Sequence, residues 1–341
     1  MRSRTADGQA TVIGRATRVI ETVPPGAGAV VMGTGIVSID LLLSGAAAVS
    51  LLPLLVATIA WTLLGILLAG RFLWDRPRFD REATLPAALT GVAGTAVLGT
   101  RLTLLGWEWA GAAMLGIAVL LWLALVGRVL RRWATPTAGV SFMLTVSTQS
   151  LAVLLAALGS AERAVWLVGL AVAPLTLGAG LYAFVASRFD VRQLIRGSGD
   201  QWVAGGALAI SALACARVTL ASQALHVLGD GGALRGATLA LWVAAMAWLP
   251  FLLVTELTVP RIRYDTRRWA TVFPVGMYAA CSFLAGSALG WDGLRDFAQI
   301  WSWIALVVWG VVLVAMLWQP IPLLRAARSR APRVGDEPVE G

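Results

Sequence analysis

Apolar positions dominate ten stretches of this chain, and polar positions are confined to the short gaps between them. The stretches are 24–46, 51–72, 83–103, 108–130, 137–158, 163–186, 200–225, 235–259, 268–290 and 297–319. A helix rises 1.5 Å per residue, so about 20 apolar residues cross the ~30 Å hydrocarbon core of a bilayer. Hydrocarbon offers the backbone no hydrogen-bond partner, which makes each stretch a helix. The pattern predicts an all-α membrane protein with ten transmembrane helices. No solenoid repeat, low-complexity tract or soluble insertion interrupts them.

The basic residues test this division. One set of connections comprises the N-terminal tail, 73–82, 131–136, 187–199, 260–267 and the C-terminal tail, with the adjoining helix ends. This set holds 22 arginines, and the intervening five connections hold only Arg101, Arg163, Arg235 and Arg295. Arginine collects on the cytoplasmic side of inner-membrane proteins. A bias that alternates at every crossing would collapse if one helix were missed or invented. The reading is therefore a cytoplasmic tail over 1–23, a transport domain over 24–319 and a cytoplasmic tail over 320–341, in the cell (inner) membrane. The first tail carries Arg2, Arg4, Arg15 and Arg18 without an apolar core, unlike a cleaved signal peptide. The last combines prolines with acidic residues and reads as disordered.

Odd and even segments differ. The odd ones are rich in small residues and several start near prolines, as in PPGAGAVVMGTGIVS, LPAALTGVAGTAVLG and WATVFPVGMYAACS. The even ones are bulkier, as in LALWVAAMAWLPFLL, except that the sixth contains Pro174, Gly178 and Gly180. Small residues permit close backbone approach, and proline bends a helix. This contrast predicts five hairpins, with the odd helices as an inner ring around a central pore and the even ones facing lipid. Tight packing without a conduit would use the same small residues. Trp74, Trp107, Trp109, Trp133, Trp202, Trp269, Trp291 and Trp301 read as interfacial belt residues.

Composition narrows the partners. The chain has 341 residues, 58% hydrophobic and 13% charged, with a net charge of +9. All 27 basic residues are arginine. Their placement between apolar runs points to the lipid bilayer and away from nucleic acid. Cys215 and Cys281 lie inside apolar runs, and neither they nor the one histidine, His226, form a metal-ligand pattern. No cofactor is expected.

Asp40 and Arg217 are the charges farthest from any helix end. They fall at similar depths on the first and seventh segments, 16 positions after Pro24 and 17 after Asp200. Each costs about 2.5–3.5 kcal/mol at the bilayer centre on insertion scales. They could form a buried ion pair that fixes helix register. Alternatively, Arg217 contacts a permeating anion while Asp40 orients it or takes a proton. Gly33, Thr34 and Gly35 either serve close packing or expose backbone amides and a hydroxyl to a dehydrated anion. Ser147, Thr148, Gln149 and Ser211 are further candidates to line a conduit. Phe273 before Pro274 is a packed aromatic or a gate. Glu256 reads as a partner of Arg261 or Arg263, and His226 as an interfacial polar residue.

The run Val23-Pro24-Pro25-Gly26-Ala27-Gly28-Ala29-Val30-Val31-Met32-Gly33-Thr34-Gly35-Ile36-Val37-Ser38 resembles the first helix of the tellurite-resistance/dicarboxylate transporter family. Fungal malate carriers and sulfite exporters belong to that family, and plant slow anion channels are related. Trp269-Ala270-Thr271-Val272-Phe273-Pro274-Val275-Gly276 is similar to its second recurring stretch, W-x-x-x-F-P-x-G. The resemblance implies ten helices in five hairpins around a pore, commonly as a homotrimer, and a small anion as substrate. It also implies that Phe273 plugs the conduit, although Phe273 lies only about six residues into the ninth segment. The first motif is common to branches with different substrates and selects none of them.

The expected function is transport of a small anion (C4-dicarboxylate, sulfite or an inorganic anion) by a channel or a proton-coupled carrier. An intramembrane enzyme would need paired aspartates, an HExxH or a Ser/His pair at one depth, and the sequence has none of these. A membrane scaffold or sensor would carry no flux and no continuous polar path.

Overall fold

The computed structural model describes residues 23–133, 135–193, 199, 201–229, 231–258 and 264–319. Both predicted tails therefore lie outside the described residues, apart from Val23. Each of the ten apolar segments is helical, and no strand forms among the described residues. The helices are α1 (Gly28–Leu43), α2 (Ala47–Trp74), α3 (Thr90–Thr103), α4 (Glu108–Arg131), α5 (Met143–Ala161), α6 (Val165–Ala186), α7 (Gln201–Leu225), α8 (Gly232–Thr258), α9 (Trp269–Leu289) and α10 (Asp292–Leu317). Eight are long and apolar enough to cross a membrane. The exceptions are α1, with 16 residues, and α3, with 14. The segment predicted from residue 83 enters α3 through a 3₁₀ turn, Pro86–Leu89, and a short helix, Arg76–Glu82, precedes it at 90°.

Each odd helix turns tightly into the even helix that follows and packs against it. All five of these turns use residues in the left-handed region: Gly45, Gly106, Arg163 and Gly290, and, between α7 and α8, His226, Leu228, Gly229 and Gly231. Gly290, at φ +76°, caps α9 by returning its N–H to the Gly286 carbonyl. A left-handed cap satisfies a helix's last carbonyls while reversing the chain, and a short loop leaves antiparallel neighbours.

Burial separates the two classes of helix. The apolar windows of α5, α7 and α9 are 83–94% buried, whereas those of α2, α4, α6, α8 and α10 are 17–28% buried. α1 and α3 are buried along almost their whole length. The interior helices contact one another in cyclic order: α1 with α3, α3 with α5, α5 with α7, α7 with α9, and α9 with α1.

Glycine sets these distances. A Cβ on Gly28 of α1 would lie 2.6 Å from the backbone of Thr90 at the start of α3. A Cβ on Gly35 would lie 2.8 Å from Val97 Cγ1, farther along the same pair. α6, the even helix with small residues, is peripheral, and its Gly178 makes room for the Gln149 side chain of α5. Gln149 donates to the Leu175 carbonyl at 3.1 Å.

The peripheral helices grip the interior through tryptophan. The indole N–H of Trp61 on α2 donates to Thr95 on α3, at 2.9 Å. Trp122 on α4 donates to Thr148 on α5, and Trp242 on α8 to Ser282 on α9, also at 2.9 Å. Trp309 on α10 closes the cycle by donating to Thr34 on α1, at 3.1 Å. In each case an even helix holds the odd helix of the next pair. A buried hydroxyl away from water needs a partner, and the indole supplies a donor on an apolar body.

The tryptophan belt needs correcting. Trp74, Trp107, Trp109 and Trp291 are exposed, but Trp202 and Trp269 are 2% and 1% exposed. Trp202 donates to Glu256, Trp269 to the Tyr264 hydroxyl, and Trp301 to the Val275 carbonyl. An indole that finds an acceptor inside the protein has no reason to sit at the lipid interface.

Two outcomes follow. Gly28→Ala overpacks α1 against α3 and is expected to cost roughly 1–3 kcal/mol, read as a lower melting temperature in detergent. Gly116→Ala on α4, with nothing within 4 Å of the added carbon, should leave that temperature unchanged or raise it. A double-mutant cycle of Trp309→Phe and Thr34→Val should give a coupling of about 0.6 kcal/mol, typical of hydrogen bonds between membrane helices. Zero coupling would remove the clamp's energetic role.

Candidate conduit and buried charges

α9 carries the aromatic–proline pair at the centre of the site. Pro274 lies inside the helix and has no N–H for the carbonyl four residues back, which weakens the ladder there. α9 is wedged between α7 and α1 by glycines. A Cβ on Gly206 of α7 would lie 2.8 Å from Pro274 Cγ. A Cβ on Gly33 of α1 would lie 3.2 Å from Val272, and one on Gly276 of α9 would lie 2.7 Å from Ile36 and 2.9 Å from Asp40 Oδ2. Phe273 is wholly buried. It is the fifth residue of α9, about 6 Å along the helix and short of the bundle's midpoint.

Asp40, on α1, is 1% exposed, and neither carboxylate oxygen has a hydrogen-bond partner among the described residues. Arg217, on α7, is partly exposed, and its buried Nε has no partner among the described residues. The ion pair that their similar depths suggested does not form. α1 packs against α3 and α9, and α7 against α5 and α9, so α9 stands between them. Equal depth along two helices does not make them neighbours.

The interior also holds a charge that the sequence reading left outside. Arg101 sits two residues before the end of α3, where position alone groups it with the loop arginines, yet it is 0% exposed. Its Nε donates to Ser38 Oγ on α1 and its Nη2 to Ser50 Oγ on α2, both at 2.9 Å. Ser38 in turn donates to the Ser50 carbonyl, at 2.8 Å. One guanidinium therefore ties three helices together, while its Nη1 has no partner among the described residues. The only sequence signal was two serines near facing helix ends, which periodicity cannot match to an arginine on a third helix.

The remaining candidates face helix contacts. The Thr34 hydroxyl accepts from Trp309, Gly33 faces α9 and Gly35 faces α3. Ser147 and Ser211 fold their hydroxyls onto the Leu144 and Ala207 carbonyls of their own helices, at 3.2 and 2.7 Å. Such bonds satisfy a hydroxyl without a ligand. Ser147, Ser211, Thr34 and Phe273 are 0–1% exposed, so no open passage runs past them in this structure. Glu256 accepts from Arg268 at 2.8 Å, and Arg261 and Arg263 lie outside the described residues. His226 is exposed beyond the end of α7, with φ +54°. Among the described residues no three His, Cys, Asp or Glu side chains are grouped to hold a metal ion.

The sequence profile of the family described as SLAC1, voltage-dependent anion channel, matches residues 22–317. Two uncharacterized membrane proteins of Mycobacterium tuberculosis, from strains CDC 1551 and H37Rv, are each 32% identical to this chain over 121 residues. The match covers 34% of this chain and spans 61% of the length of each relative.

Arg101→Ala removes two charge-assisted hydrogen bonds from a buried site. Each is worth about 1.5–3 kcal/mol, so the melting temperature in detergent should fall markedly. Arg235→Ala, at an exposed site, should have little effect. Equal effects would mean that the three-helix tie contributes nothing.

Proposed function

Since the chain belongs to the SLAC1 family of voltage-dependent anion channels, we propose that it carries a small anion across the membrane through the middle of its interior helices. In this reading the ten helices cross the bilayer as five hairpins in the inner membrane, with both termini cytoplasmic, and the protein assembles as a trimer. The observation that carries the proposal is the cyclic contact of α1, α3, α5, α7 and α9, beside which stands the full burial of Phe273 next to the proline of α9. A ring of small-residue helices can leave an axial path, and one aromatic side chain can close it. Phe273 is the gate in this reading, and the structure is its closed form. The weakened ladder at Pro274 lets the start of α9 move enough to withdraw the ring.

Arg217, partly exposed and without a carboxylate partner among the described residues, supplies the positive charge an anion meets on the way. Inside low-dielectric walls a fixed cation attracts an anion more strongly than in water. A carrier that couples anion to proton would use Asp40, whose carboxyl touches Gly276 one turn beyond Phe273. A C4-dicarboxylate, sulfite or an inorganic anion would each satisfy this chemistry.

The test is flux into proteoliposomes with a panel of these anions, with and without a pH gradient. A barrier lowered by about 1.4 kcal/mol raises a rate tenfold, so Phe273→Ala is expected to increase passive flux by about that factor. Arg217→Ala should reduce flux. Asp40→Asn should abolish any dependence on the pH gradient while leaving passive flux intact. Absence of flux for every anion, in wild type and Phe273→Ala alike, would favour a scaffold or sensor.

A further inference from the structure

We propose that the cleft between α2 and α4 binds one phospholipid with an anionic headgroup. The acyl chain lies against α1 and α3, and the phosphate lies among the arginines at the cleft's end. This inference rests on the reading that the helices lie in a bilayer, but not on the conduit.

α2 and α4 stand apart on either side of α3. Between them is a recess of about 370 Å³. α2 lines it with a single stripe, Trp61, Leu64, Leu68 and Phe72, and α4 with Ile117, Leu121 and Leu125. The floor is made by Gly28, Gly91 and Gly94 of the two interior helices. The absence of side chains there gives the recess its depth, and an added Cβ at Gly91 would meet nothing within 4 Å. The one hydroxyl midway along the floor, Thr95, is occupied by the Gly91 carbonyl and the Trp61 indole. Glu82 and Thr90 also line the recess, but Glu82 is paired with Arg71 and Arg78 and the Thr90 hydroxyl donates to the Ala87 carbonyl, so a hydrocarbon chain meets apolar walls and polar groups that are already engaged.

The end of the cleft is of opposite character. The α4 stripe runs on from Ile117, Leu121 and Leu125 to Arg128 and Arg132, one side of the helix passing from apolar to cationic within a turn. The short helix Arg76–Glu82 and the turn after it form the divide: Phe79 and Ala83 line the recess, while Arg76, Asp80 and Thr84 line a second hollow. That hollow also contains Arg128, Arg131 and Arg132. Four arginines meet one carboxylate there, and Asp80 is engaged by Arg76 at 3.4 Å. Among the described residues, Arg128 and Arg131 direct donors only to the Ala124 and Gly127 carbonyls of their own helix. Guanidinium groups hold phosphate bidentately, and basic clusters at a membrane surface select anionic lipids. An apolar helix from a second copy would leave these arginines uncompensated, and an acidic peptide would leave the recess unfilled. An amphiphile with an anionic head satisfies both ends. Its chain would rest on α1 and α3 and beside the Trp61–Thr95 clamp, so occupancy bears on the interior ring.

The test uses the purified full-length protein in mild detergent, with phosphatidylglycerol and phosphatidylcholine of identical acyl chains. Retained lipid is read by native mass spectrometry and by thermal shift. Phosphatidylglycerol should be held about tenfold to a hundredfold more tightly than phosphatidylcholine. Replacing Arg128, Arg131 and Arg132 together by glutamine, changes at the surface of the fold, should erase that preference but leave both lipids weakly retained. Gly91→Leu, whose Cβ meets nothing within 4 Å and whose side chain takes up space on the floor, should reduce retention of both lipids. Inorganic phosphate alone should give no thermal shift. The proposal is overturned if wild type shows no headgroup preference, if the preference survives the arginine replacement, if Gly91→Leu retains lipid normally, or if phosphate alone reproduces the shift. Lipid binding without anion flux would refute the conduit and leave this site standing, and flux without lipid selectivity would do the reverse.

Discussion

Two helices in hydrocarbon gain nothing by hiding apolar side chains from lipid, because lipid is equally apolar. What holds them together is close approach of backbones and the few polar bonds that lipid cannot replace. The interior of this protein follows that constraint throughout. Gly28, Gly35, Gly206 and Gly276 mark places where a methyl group would already collide with a neighbouring helix. The small residues of the odd helices are thus explained first by contact. Close contact brings so many dispersion partners together that the ring needs little else.

The second resource is the buried hydroxyl. Threonine and serine in the interior can return a hydrogen bond to their own helix, which leaves the oxygen free to accept from outside. Thr95 and Thr148 do both, bonding the Gly91 and Leu144 carbonyls while accepting from Trp61 and Trp122. An indole on a lipid-facing helix is suited to the other half of this bond, since its body is soluble in the acyl region and only its N–H needs an acceptor. The result is a set of bonds from each pair of helices to the next, running from α10 back to α1. α6 departs from it, holding its own partner α5 through Gln149 instead.

How much of this was legible in the sequence depends on the range of the interaction. Helix positions follow from local hydropathy, and all ten segments are helical. The division into buried odd and exposed even helices follows from side-chain size, a property each helix carries by itself. Neighbour relations are different in kind. Asp40 and Arg217 share a depth, which the chain reveals, but α9 lies between their helices, which it does not. Arg101 looked like a loop residue because it is close to a helix end, and only the meeting of α1, α2 and α3 makes it interior. Trp202 and Trp269 looked interfacial for the same reason, and Glu256 and Tyr264 take their N–H groups inward. Residue type marks polar candidates for a conduit, whereas the direction a side chain points depends on which helix stands beside it.

Arg101, Asp40 and Arg217 are accommodated in three ways, and the contrast bears on which part of the molecule can move. Arg101 is held by two hydroxyls on two helices, so motion of α3 against α1 and α2 would strand a charge in hydrocarbon. That corner is fixed by the cost of breaking it. Asp40 has no such tie: its carboxylate meets the bare backbone of Gly276, and no hydrogen bond is lost if α9 shifts past it. Arg217 is partly exposed, and its buried Nε has no hydrogen-bond partner among the described residues. The contacts of α9 with α1 and α7 are also glycine contacts around a proline, rich in dispersion but poor in directional bonds. A helix held that way can slide or tilt at lower cost than one held by a charge network. If the ring opens anywhere, the α1–α9–α7 side is where the physical chemistry permits it, and the α1–α2–α3 corner is the anchor it opens against.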